Sequence, residues 1–569
     1  MLNIPSFSQA SPENKTRRAR QVRAFSLCLS FCLILSLFLS ACSPASAPTP
    51  APAASPEAAK QTEEASEAEA SQATKGSEKA SEGESTAPKE GKAGGQIKVG
   101  ITQEPDFLDP HLAVAAGTKE ILFNIFQGLV RLTPEGAFEP CLATSWEVEE
   151  DGLAYRFYLR EGVKFHNGQE MGLDDVVYSL QRAAGLEGHQ RLVYELRDIT
   201  AVEADPASYS VLVRQKTVNP DLISLLTTAI VPAGYEEQAS EPIGTGPFKF
   251  KSYTPQVSLV LERFDDYWEA DKPQLDQVTF QIYGDMDAAY LELMAGQIDI
   301  FPYLTAEKAD SLTDKYQLVS GGANMLQLLA FNNDRKPLDN PLVREAINLA
   351  IDRDQLVEMI MGAYGRPVVS GMTPSMGPYY NGELVAKHKT DPEAAKAKLA
   401  EAGYPNGIDL TVTAPANYLI HVDTANLIAS QLEKVGIRLK INNVEWGTWL
   451  EKVYAGRDYQ MTIIALTYDY FTPSDVLNRY MTDSEDNFIN YKSDAYDDLA
   501  RKAASEVDEA KREQLYQEMQ TLLLEDNASA FLQEPFNVTA VKKGLTGYVQ
   551  YPAYVLDMST VAYEAGADR

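Results

Sequence analysis

The chain has 569 residues, 44% of them hydrophobic, so it is long enough to fold into two or three separately packed lobes. Its formal net charge is −31 at pH 7. This acidity argues against binding of nucleic acid or of an anionic membrane through the body of the protein.

The first 41 residues have the pattern of an export signal. A basic N-terminal stretch precedes the apolar run "AFSLCLSFCLILSLFL" (24–39), which is shorter than the roughly 20 residues of a membrane span. The run leads into "LSAC", where small residues precede Cys42. The pattern resembles a bacterial lipoprotein signal peptide, which implies that Cys42 is lipidated and becomes the new N-terminus. An ordinary signal peptide or a signal anchor is the alternative.

Residues 42–95 follow the signal as a predicted tether. From 43 onward they consist mainly of Ala, Ser, Pro, Glu and Lys, and so few large apolar side chains predict a disordered segment. After removal of the leader and lipidation of Cys42, only Cys141 remains as a thiol in the body. We expect Cys141 to be a small core residue.

The body begins near Gln96 with a predicted strand, since Ile97, Val99 and Ile101 alternate with other residues. Helical spacing follows at "TKEILFNIF" (118–126), then a strand at "AYRFYL" (154–159) and a helix at "LDDVVYSLQRAAG" (173–185). Residues 241–304 mix short strands with one helix.

The second half of the body alternates strands and helices more regularly. Predicted strands at "QLLAFNN", "IDLTVTA", "IRLKINNVEW" and "YQMTIIALTYD" are separated by helical segments. This order predicts an α/β lobe with a largely parallel sheet. A long amphipathic helix (509–527) and a final strand (528–544) complete the chain.

The sequence contains no recognisable catalytic or metal-binding motif. Its five histidines do not pair at ligand spacing with each other or with cysteine. "GTGPFK" (244–249) lacks the third glycine of a dinucleotide fingerprint, so Gly244 and Gly246 are interpreted as a tight turn. We therefore predict no enzyme activity, no cofactor and no metal site.

Several long motifs together resemble one known family. "EPDFLDPHL", "IGTGPFKFKSY", "AFNNDRKPLDNPLVREAINLAIDRDQLV" and "NYKSDAYDDL" occur in the order found in the family 5 solute-binding proteins of ABC importers, typified by dipeptide- and oligopeptide-binding proteins. The similarity spans about 96–564.

The resemblance implies a periplasmic-binding-protein-like α/β fold, with two α/β lobes around a ligand cleft and an extra domain inserted in lobe I. Carried onto this chain, it implies the following division: lobe I at 96–130, 241–326 and 536–569, the inserted domain at 131–240, and lobe II at 327–535. Two segments that link the lobes would act as a hinge.

The implied function is that of a lipid-anchored receptor on the outer face of the bacterial cytoplasmic membrane, on the extracellular or periplasmic side. It would capture peptides as a monomer and deliver them to an ABC permease and ATPase complex. Alternatives within the same fold are a receptor for a nickel chelate, haem, an opine or an oligosaccharide, or a peptide-pheromone signalling receptor. An extracellular enzyme is disfavoured because no catalytic set is present.

The resemblance also implies site residues in "LTYDY" (466–470). Asp469 matches the aspartate that receives the α-ammonium group of the ligand in oligopeptide-binding members, and a loop-capping aspartate is the alternative. Thr467, Tyr468 and Tyr470 surround it. Strand alternation would turn both tyrosines away from the side of Asp469.

Two further residues are implied by similarity to family positions. Trp446 resembles a tryptophan that lines side-chain pockets, although a core tryptophan is the alternative, and His421 lies near a histidine that some members present to ligand. No arginine occupies the positions near Val453 and Ile463 that hold a ligand carboxylate in some members. Because a dipeptide binder fixes both ends of its ligand, we expect oligopeptides rather than dipeptides.

Overall fold

The structure is a computed structural model that describes residues 91–312, 314–468 and 470–566. The predicted signal peptide, Cys42 and most of the predicted tether lie outside the described residues, as does Asp469. Among the described residues, no helix is both long enough and apolar enough to cross a membrane.

The strands are numbered in chain order: β1 (Gly91–Lys92), β2 (Gln96–Ile101), β3 (Val130–Leu132), β4 (Phe138–Pro140), β5 (Ala143–Glu149), β6 (Ala154–Leu159), β7 (Ile199–Asp205), β8 (Ser210–Gln215), β9 (Phe248–Thr254), β10 (Ser258–Arg263), β11 (Gln277–Ile282), β12 (Ile300–Phe301), β13 (Tyr316–Gly322), β14 (Leu326–Phe331), β15 (Gly365–Pro367), β16 (Ile408–Pro415), β17 (Ile437–Val444), β18 (Met461–Leu466), β19 (Ser529–Lys542), β20 (Leu545–Thr546) and β21 (Ala562–Glu564).

The α-helices are α1 (Ala116–Leu122), α2 (Leu173–Ala184), α3 (Leu222–Leu225), α4 (Met286–Ala295), α5 (Ala306–Asp310), α6 (Pro341–Ala350), α7 (Arg353–Met361), α8 (Glu383–Lys387), α9 (Pro392–Glu401), α10 (Leu419–Glu433), α11 (Trp446–Thr448), α12 (Pro473–Leu477), α13 (Asp494–Ala503) and α14 (Glu509–Glu525). Short 3₁₀ turns at Glu150–Gly152, Tyr194–Asp198, Pro374–Tyr379 and Asn478–Tyr480 and a π-helical turn at Trp449–Ala455 connect them.

Lobe I is built on β2 and its neighbours. β2 pairs in parallel with β11, which is followed in the sheet by the antiparallel strands β10 and β9. Val99 and Phe280 are direct cross-strand partners in this pairing, and both are fully buried in the same apolar cluster. The sequence predicted ordered structure from Gln96. β1 in fact pairs with β21, so the described order begins earlier, inside the predicted tether.

The inserted domain has a core of its own. β5, β6, β8 and β7 form a four-stranded antiparallel sheet, and α2 buries Val176 and Leu180 in the cluster that this sheet contributes to. α2 has two acidic residues in its first turn and is followed by Gly185 in a left-handed conformation with φ 74°, as its sequence predicted. Cys141 is also buried in this cluster, and burial raises the pKa of its thiol to about 12, as befits a core residue.

Lobe II is a sheet covered on both faces. β14 buries every residue, because Leu329 and Phe331 face a cluster that includes α6, α9 and α10, whereas Leu328 and Ala330 face a second cluster that includes α14. Such double coverage explains the nearly continuous apolar sequence of this strand.

The prediction of a largely parallel sheet in lobe II was wrong in part. β16 pairs in parallel with both β17 and β18, but β14 pairs antiparallel with β18 and with β19. β14 precedes the helices and β19 follows them, so neither strand belongs to the strand–helix–strand repeats that give parallel pairing.

β19 runs through both lobes. Its first part pairs with β14, its centre with β15, and its second part with β13 and β12. The chain also passes between β13 and β14 at 323–325, where Ala323 N donates to Pro535 O at 2.8 Å. Two adjacent main-chain segments therefore link the lobes.

The inserted domain also touches lobe II. A Cβ atom on Gly136 would lie 2.7 Å from Cε1 of Phe471, and one on Gly152 would lie 2.6 Å from Cγ1 of Val507. Gly136 and Gly152 have φ values of 84° and 92°. At both positions glycine permits the left-handed backbone conformation and leaves space for a side chain of lobe II to approach closely.

Candidate functional site

The carboxyl ends of three parallel strands meet at one edge of lobe II. Pro415 at the end of β16 is level with Val444 at the end of β17, and β18 runs in the same direction beside β16. In open α/β sheets, ligands bind at the carboxyl edge of the strands. The segments that leave this edge carry most of the predicted site residues.

Trp446 follows β17 and is held in a stack of aromatic rings. Its ring lies parallel to that of Trp449, with centroids 5.1 Å apart and an interplanar angle of 4°, and Tyr418 packs edge-on at 5.3 Å. Trp449 is fully buried and its Nε1 donates to Thr462 Oγ1 at 2.9 Å, whereas Trp446 is only half-buried. The outer ring is thus fixed in orientation and able to stack on a planar or apolar group.

Tyr468 points into lobe II. Its ring is 1% exposed and packs in the same cluster as β14 and β18, and burial raises the pKa of its phenol. Its hydroxyl accepts a hydrogen bond from Thr373 N at 3.0 Å, and its backbone N–H donates to Asn324 Oδ1 at 2.8 Å. Tyr468 therefore anchors the segment after β18 from inside the core.

Tyr470 points the other way, towards the inserted domain. Its ring packs against the apolar cluster of that domain, and Lys119 Nζ of α1 lies 5.7 Å from the ring centroid. Strand alternation predicted that Tyr468 and Tyr470 would share one side. β18 ends at Leu466 and Phe471 has φ 55°, so the alternation does not continue through this segment. Thr467 is half-buried at the start of the turn.

His421 lies in a buried polar network. It is 4% exposed, and its Nδ1 accepts a hydrogen bond from Gln327 Nε2 at 2.8 Å. Gln327 Oε1 in turn accepts from Gln533 Nε2 at 2.7 Å and from Thr424 Oγ1 at 3.3 Å. Burial lowers the pKa of His421 to about 4, so the ring is neutral at pH 7. The ring of Tyr418 lies 5.8 Å from that of His421.

α1 of lobe I carries two ionisable residues that sequence reasoning missed. Lys119 and Glu120 are neighbours on α1, and Lys119 is exposed whereas Glu120 is buried. The Tyr303 hydroxyl donates to the Glu120 carboxylate, and burial raises the pKa of that carboxyl to about 8. The sequence feature that could have drawn attention to Glu120 is its position directly before Ile121 and Leu122, two apolar residues of a helix that packs on lobe I.

The described residues around this edge can be compared with the chemistry that the sequence predicted. Within the described residues, no group of three His, Cys, Asp or Glu side chains could hold a metal ion. The positions near Val453 and Ile463, where a ligand carboxylate is held in some members of the resembled family, are buried in the apolar clusters of lobe II. The described groups near this edge include the Lys119 ammonium and the rings of Trp446 and Tyr470, which suit an amphiphilic small ligand.

Comparison with known proteins agrees with this description. Residues 137–488, more than half of the chain, match the model of the bacterial extracellular solute-binding proteins, family 5. The oligopeptide-binding protein AppA of Bacillus subtilis is 28% identical over 494 residues, which cover 81% of this chain and 90% of AppA.

Two solved structures extend the comparison. The periplasmic binding protein DppA of Helicobacter pylori, in complex with the peptide STSA, is 26% identical with a TM-score of 0.63, covering 83% of this chain and 99% of DppA. AgaA of A. tumefaciens R10, in complex with agropinic acid, is 29% identical with a TM-score of 0.63, covering 83% of this chain and 99% of AgaA. Both are periplasmic binding proteins, and the chain has their fold. The chain therefore belongs to the family 5 extracellular solute-binding proteins of ABC importers.

Proposed function

We propose that the chain is the lipid-anchored substrate-binding component of an ABC importer, which captures peptides in the cleft between its lobes and delivers them to the permease. Members of this family are substrate-binding proteins rather than enzymes, and we assign no reaction. The observation that carries the peptide assignment is the similarity to an oligopeptide-binding protein over 81% of this chain.

The proposed domain boundaries are 96–130, 241–326 and 536–569 for lobe I, 131–240 for the inserted domain and 327–535 for lobe II. Separate apolar clusters in these parts of the described chain support the division. The short connections at 323–325 and at 534–535 are the proposed hinge.

Within the cleft we propose that Asp469 receives the α-ammonium group of the peptide. A carboxylate in a closed, low-dielectric cleft binds a cation far more strongly than it does in water. Trp446 stacks on a ligand side chain, and Thr467 and Tyr470 border the ligand. Because Tyr468 and His421 are buried, their proposed part is to hold the neighbouring surface in position.

The proposed preference for oligopeptides over dipeptides follows from the absence of an arginine at the two positions where some family members hold the carboxylate of the ligand. Val453 and Ile463 are core residues, so no arginine holds a ligand carboxylate at those positions. Longer peptides bind through their main chain in an extended form, which gives affinity without a fixed C-terminus.

The central test is isothermal titration calorimetry with peptides of two to ten residues. We expect binding by tripeptides and longer peptides, with weaker binding of dipeptides, and no binding by any length would refute the peptide assignment. Asp469→Asn should weaken binding by about 1.5–3 kcal/mol, the scale of a hydrogen bond to a charged group. Asp409→Asn, at the opposite end of β16, is the matched control and should leave affinity unchanged.

The lipid anchor needs its own test. We propose that Cys42 carries the lipid and fixes the protein to the outer face of the cytoplasmic membrane, with the body monomeric. The test is fractionation of cells that express either the wild type or Cys42→Ala. We expect the wild type in the membrane fraction and Cys42→Ala in the soluble fraction. Light scattering of the soluble variant measures its molar mass and so tests whether it is a monomer.

An opine is the second candidate ligand. The favouring observation is the 29% identity to AgaA, whose solved structure contains agropinic acid. Titration of agropinic acid under the same conditions distinguishes an opine receptor from a peptide receptor. Saturable binding of agropinic acid without binding of peptides would replace the peptide assignment.

A further inference from the structure

Asn324 stands where the main-chain pairing between β14 and β18 ends. The pairing is antiparallel, and at this end it closes with the pair of Leu326 and Leu466. Two residues beyond each of these, the same register would bring Asn324 opposite Tyr468. Here the side-chain amide makes the bonds that a main-chain pair would make: Tyr468 N donates to Asn324 Oδ1 at 2.8 Å, and Asn324 Nδ2 donates to Tyr468 O. One side chain therefore holds both main-chain groups of Tyr468.

The same residue belongs to one of the two connections between the lobes. The N–H group of Ala323, directly before it, donates to Pro535 O of the other connection at 2.8 Å. Asn324 is 7% exposed, so its bonds to Tyr468 are shielded from water. The connection at 323–325 is therefore tied to the other connection on one side and to the end of β18 on the other.

The segment after β18 also contacts the other two parts of the molecule. The ring of Tyr470 packs in the cluster of the inserted domain, and Lys119 Nζ of lobe I lies 5.7 Å from the centroid of this ring. A Cβ atom added to Gly136 of the inserted domain would lie 2.7 Å from Cε1 of Phe471. Tyr468, Tyr470 and Phe471 thus touch a lobe connection, lobe I and the inserted domain within four residues of chain. The position of this segment therefore depends on the angle between the lobes.

A second buried asparagine stands at the other end of β14 and has a different place in the fold. Asn332 is 3% exposed, and its Nδ2 donates to Arg457 O at 2.9 Å and to Tyr459 O at 3.0 Å, just before β18 begins. Both asparagines hold main chain next to β18. Asn332 does so within lobe II, whereas Asn324 joins a lobe connection to the carboxyl edge of the sheet.

We propose that Asn324 is a positioning residue that couples the carboxyl edge of lobe II to the connection between the lobes. The inference rests on the proposed function, in which Thr467 and Tyr470 border a peptide in the cleft. Because Asn324 holds the main chain of Tyr468, a change in the direction of the connection moves the segment that borders the ligand. Opening of the lobes displaces this segment and lowers the affinity, and a bound peptide in turn favours the closed arrangement.

Asn324→Ala and Asn332→Ala form a matched pair for the test. The probe is the tightest-binding peptide of the series of two to ten residues, titrated by calorimetry. Both variants leave buried main-chain groups without a partner, so both should lower the urea midpoint of unfolding by comparable amounts. Asn324→Ala should also weaken peptide binding by at least about tenfold, whereas Asn332→Ala should stay within about twofold of the wild type.

Small-angle X-ray scattering supplies a readout that a purely structural role would not move. At saturating peptide, the wild type and Asn332→Ala should show the same decrease in radius of gyration, because closure brings the lobes together. Asn324→Ala at the same occupancy should show less than about half of this decrease, because the bound peptide no longer acts on the connection.

Asn324→Asp replaces Asn324→Ala if the alanine variant unfolds, with Asn332→Asp as its control. The aspartate keeps an acceptor for Tyr468 N and removes the donor to Tyr468 O. We expect a smaller loss of affinity and of contraction than for alanine, and both losses should still exceed those of Asn332→Asp.

The outcomes distinguish the role of Asn324 from the peptide assignment. Equal losses of affinity and contraction in the two members of a pair, or an Asn324 variant that binds and contracts like the wild type, would overturn the role of Asn324 and leave the peptide assignment intact. A wild type that binds no peptide of the series would overturn the peptide assignment and the role of Asn324 with it.

Discussion

The Ser474 hydroxyl donates a hydrogen bond to the Asp221 carboxylate, and this bond joins lobe II to the inserted domain. Asp221 lies at the start of α3, where burial raises the pKa of its carboxyl and the charge of Arg512 opposes that shift. Val507 of lobe II also approaches the inserted domain closely at Gly152, where an added Cβ atom would lie 2.6 Å from its Cγ1. The bond and this close approach are contacts between the inserted domain and lobe II.

The first prediction concerns this bond. Ser474→Ala should raise the dissociation rate of every ligand by about the same factor, roughly fivefold for a bond of about 1 kcal/mol, because it acts on closure of the lobes rather than on the ligand. Stopped-flow displacement with two chemically different ligands measures the factor. Ser505→Ala is the control, because Ser505 is an exposed serine of lobe II whose hydroxyl, within the described part of the chain, bonds to carbonyls of its own helical turn. Factors that differ strongly between ligands would contradict the interpretation.

The second prediction concerns the ion pair between Arg366 and Glu534. The two residues are direct partners in the β15–β19 pairing, and Glu534 is fully buried whereas the Arg366 side chain is 37% exposed. Arg366→Met leaves a buried carboxylate without its cation. It should lower the free energy of unfolding by about 2 kcal/mol, less than for a wholly buried pair because solvent reaches the arginine.

Urea unfolding of Arg366→Met, Glu534→Gln and the double variant completes this test. We expect the double variant to be more stable than Arg366→Met alone, since the unpaired charge is then removed. Simple addition of the two single losses would mean that the side chains are not coupled.

The third prediction is a pH dependence of stability that arises from His421. Its pKa is lowered from 6.5 in an exposed ring to about 4 in the folded protein, so folding favours the neutral ring. The corresponding stability is fully present above pH 6.5 and is lost as the pH falls towards 4, by up to about 3 kcal/mol. His421→Asn keeps an acceptor for Gln327 without titrating.

Chemical unfolding at pH 7.5 and at pH 4.5 measures this effect. The difference between the wild type and His421→Asn should shrink or reverse at the lower pH. A constant difference would show that His421 does not titrate in this range.

The fourth prediction separates two stacked tryptophans. Trp446→Ala should weaken ligand binding with a small loss of stability, because the ring is half-buried at the carboxyl edge of lobe II. Trp449→Ala should lower the free energy of unfolding by about 3–5 kcal/mol, because its ring is fully buried and hydrogen-bonded. Calorimetry and urea unfolding on both variants provide the comparison, and equal stability losses would contradict it.

The elements of the chain were largely predictable from sequence periodicity. α2 and α14 carry apolar positions at helical spacing, and the strands β16, β17 and β18 alternate with helices as expected. The antiparallel pairing of β14 was not predictable in this way. It depends on β19, which lies some 200 residues further along the chain and joins the sheet from the far end of lobe II.

The candidate site was less predictable because it depends on where strands end. The directions of Tyr468 and Tyr470 follow from a turn that begins at Thr467, and period-two alternation says nothing about a turn. Glu120 was missed for a different reason. A carboxylate on a short helix is ordinary in sequence, and its significance comes from Tyr303, which is brought to it by the tertiary fold.

β19 is one continuous strand that runs through both lobes. Its 14 residues pair with β14 and β15 of lobe II up to Pro535 and with β13 from Phe536 onward. Pro535 is the last residue paired with lobe II: it has no N–H group to contribute, and its carbonyl accepts a hydrogen bond from Ala323 N at the neighbouring connection between the lobes. The change of partner therefore falls between Pro535 and Phe536, beside the connection at 323–325, so that both main-chain links between the lobes lie at one place.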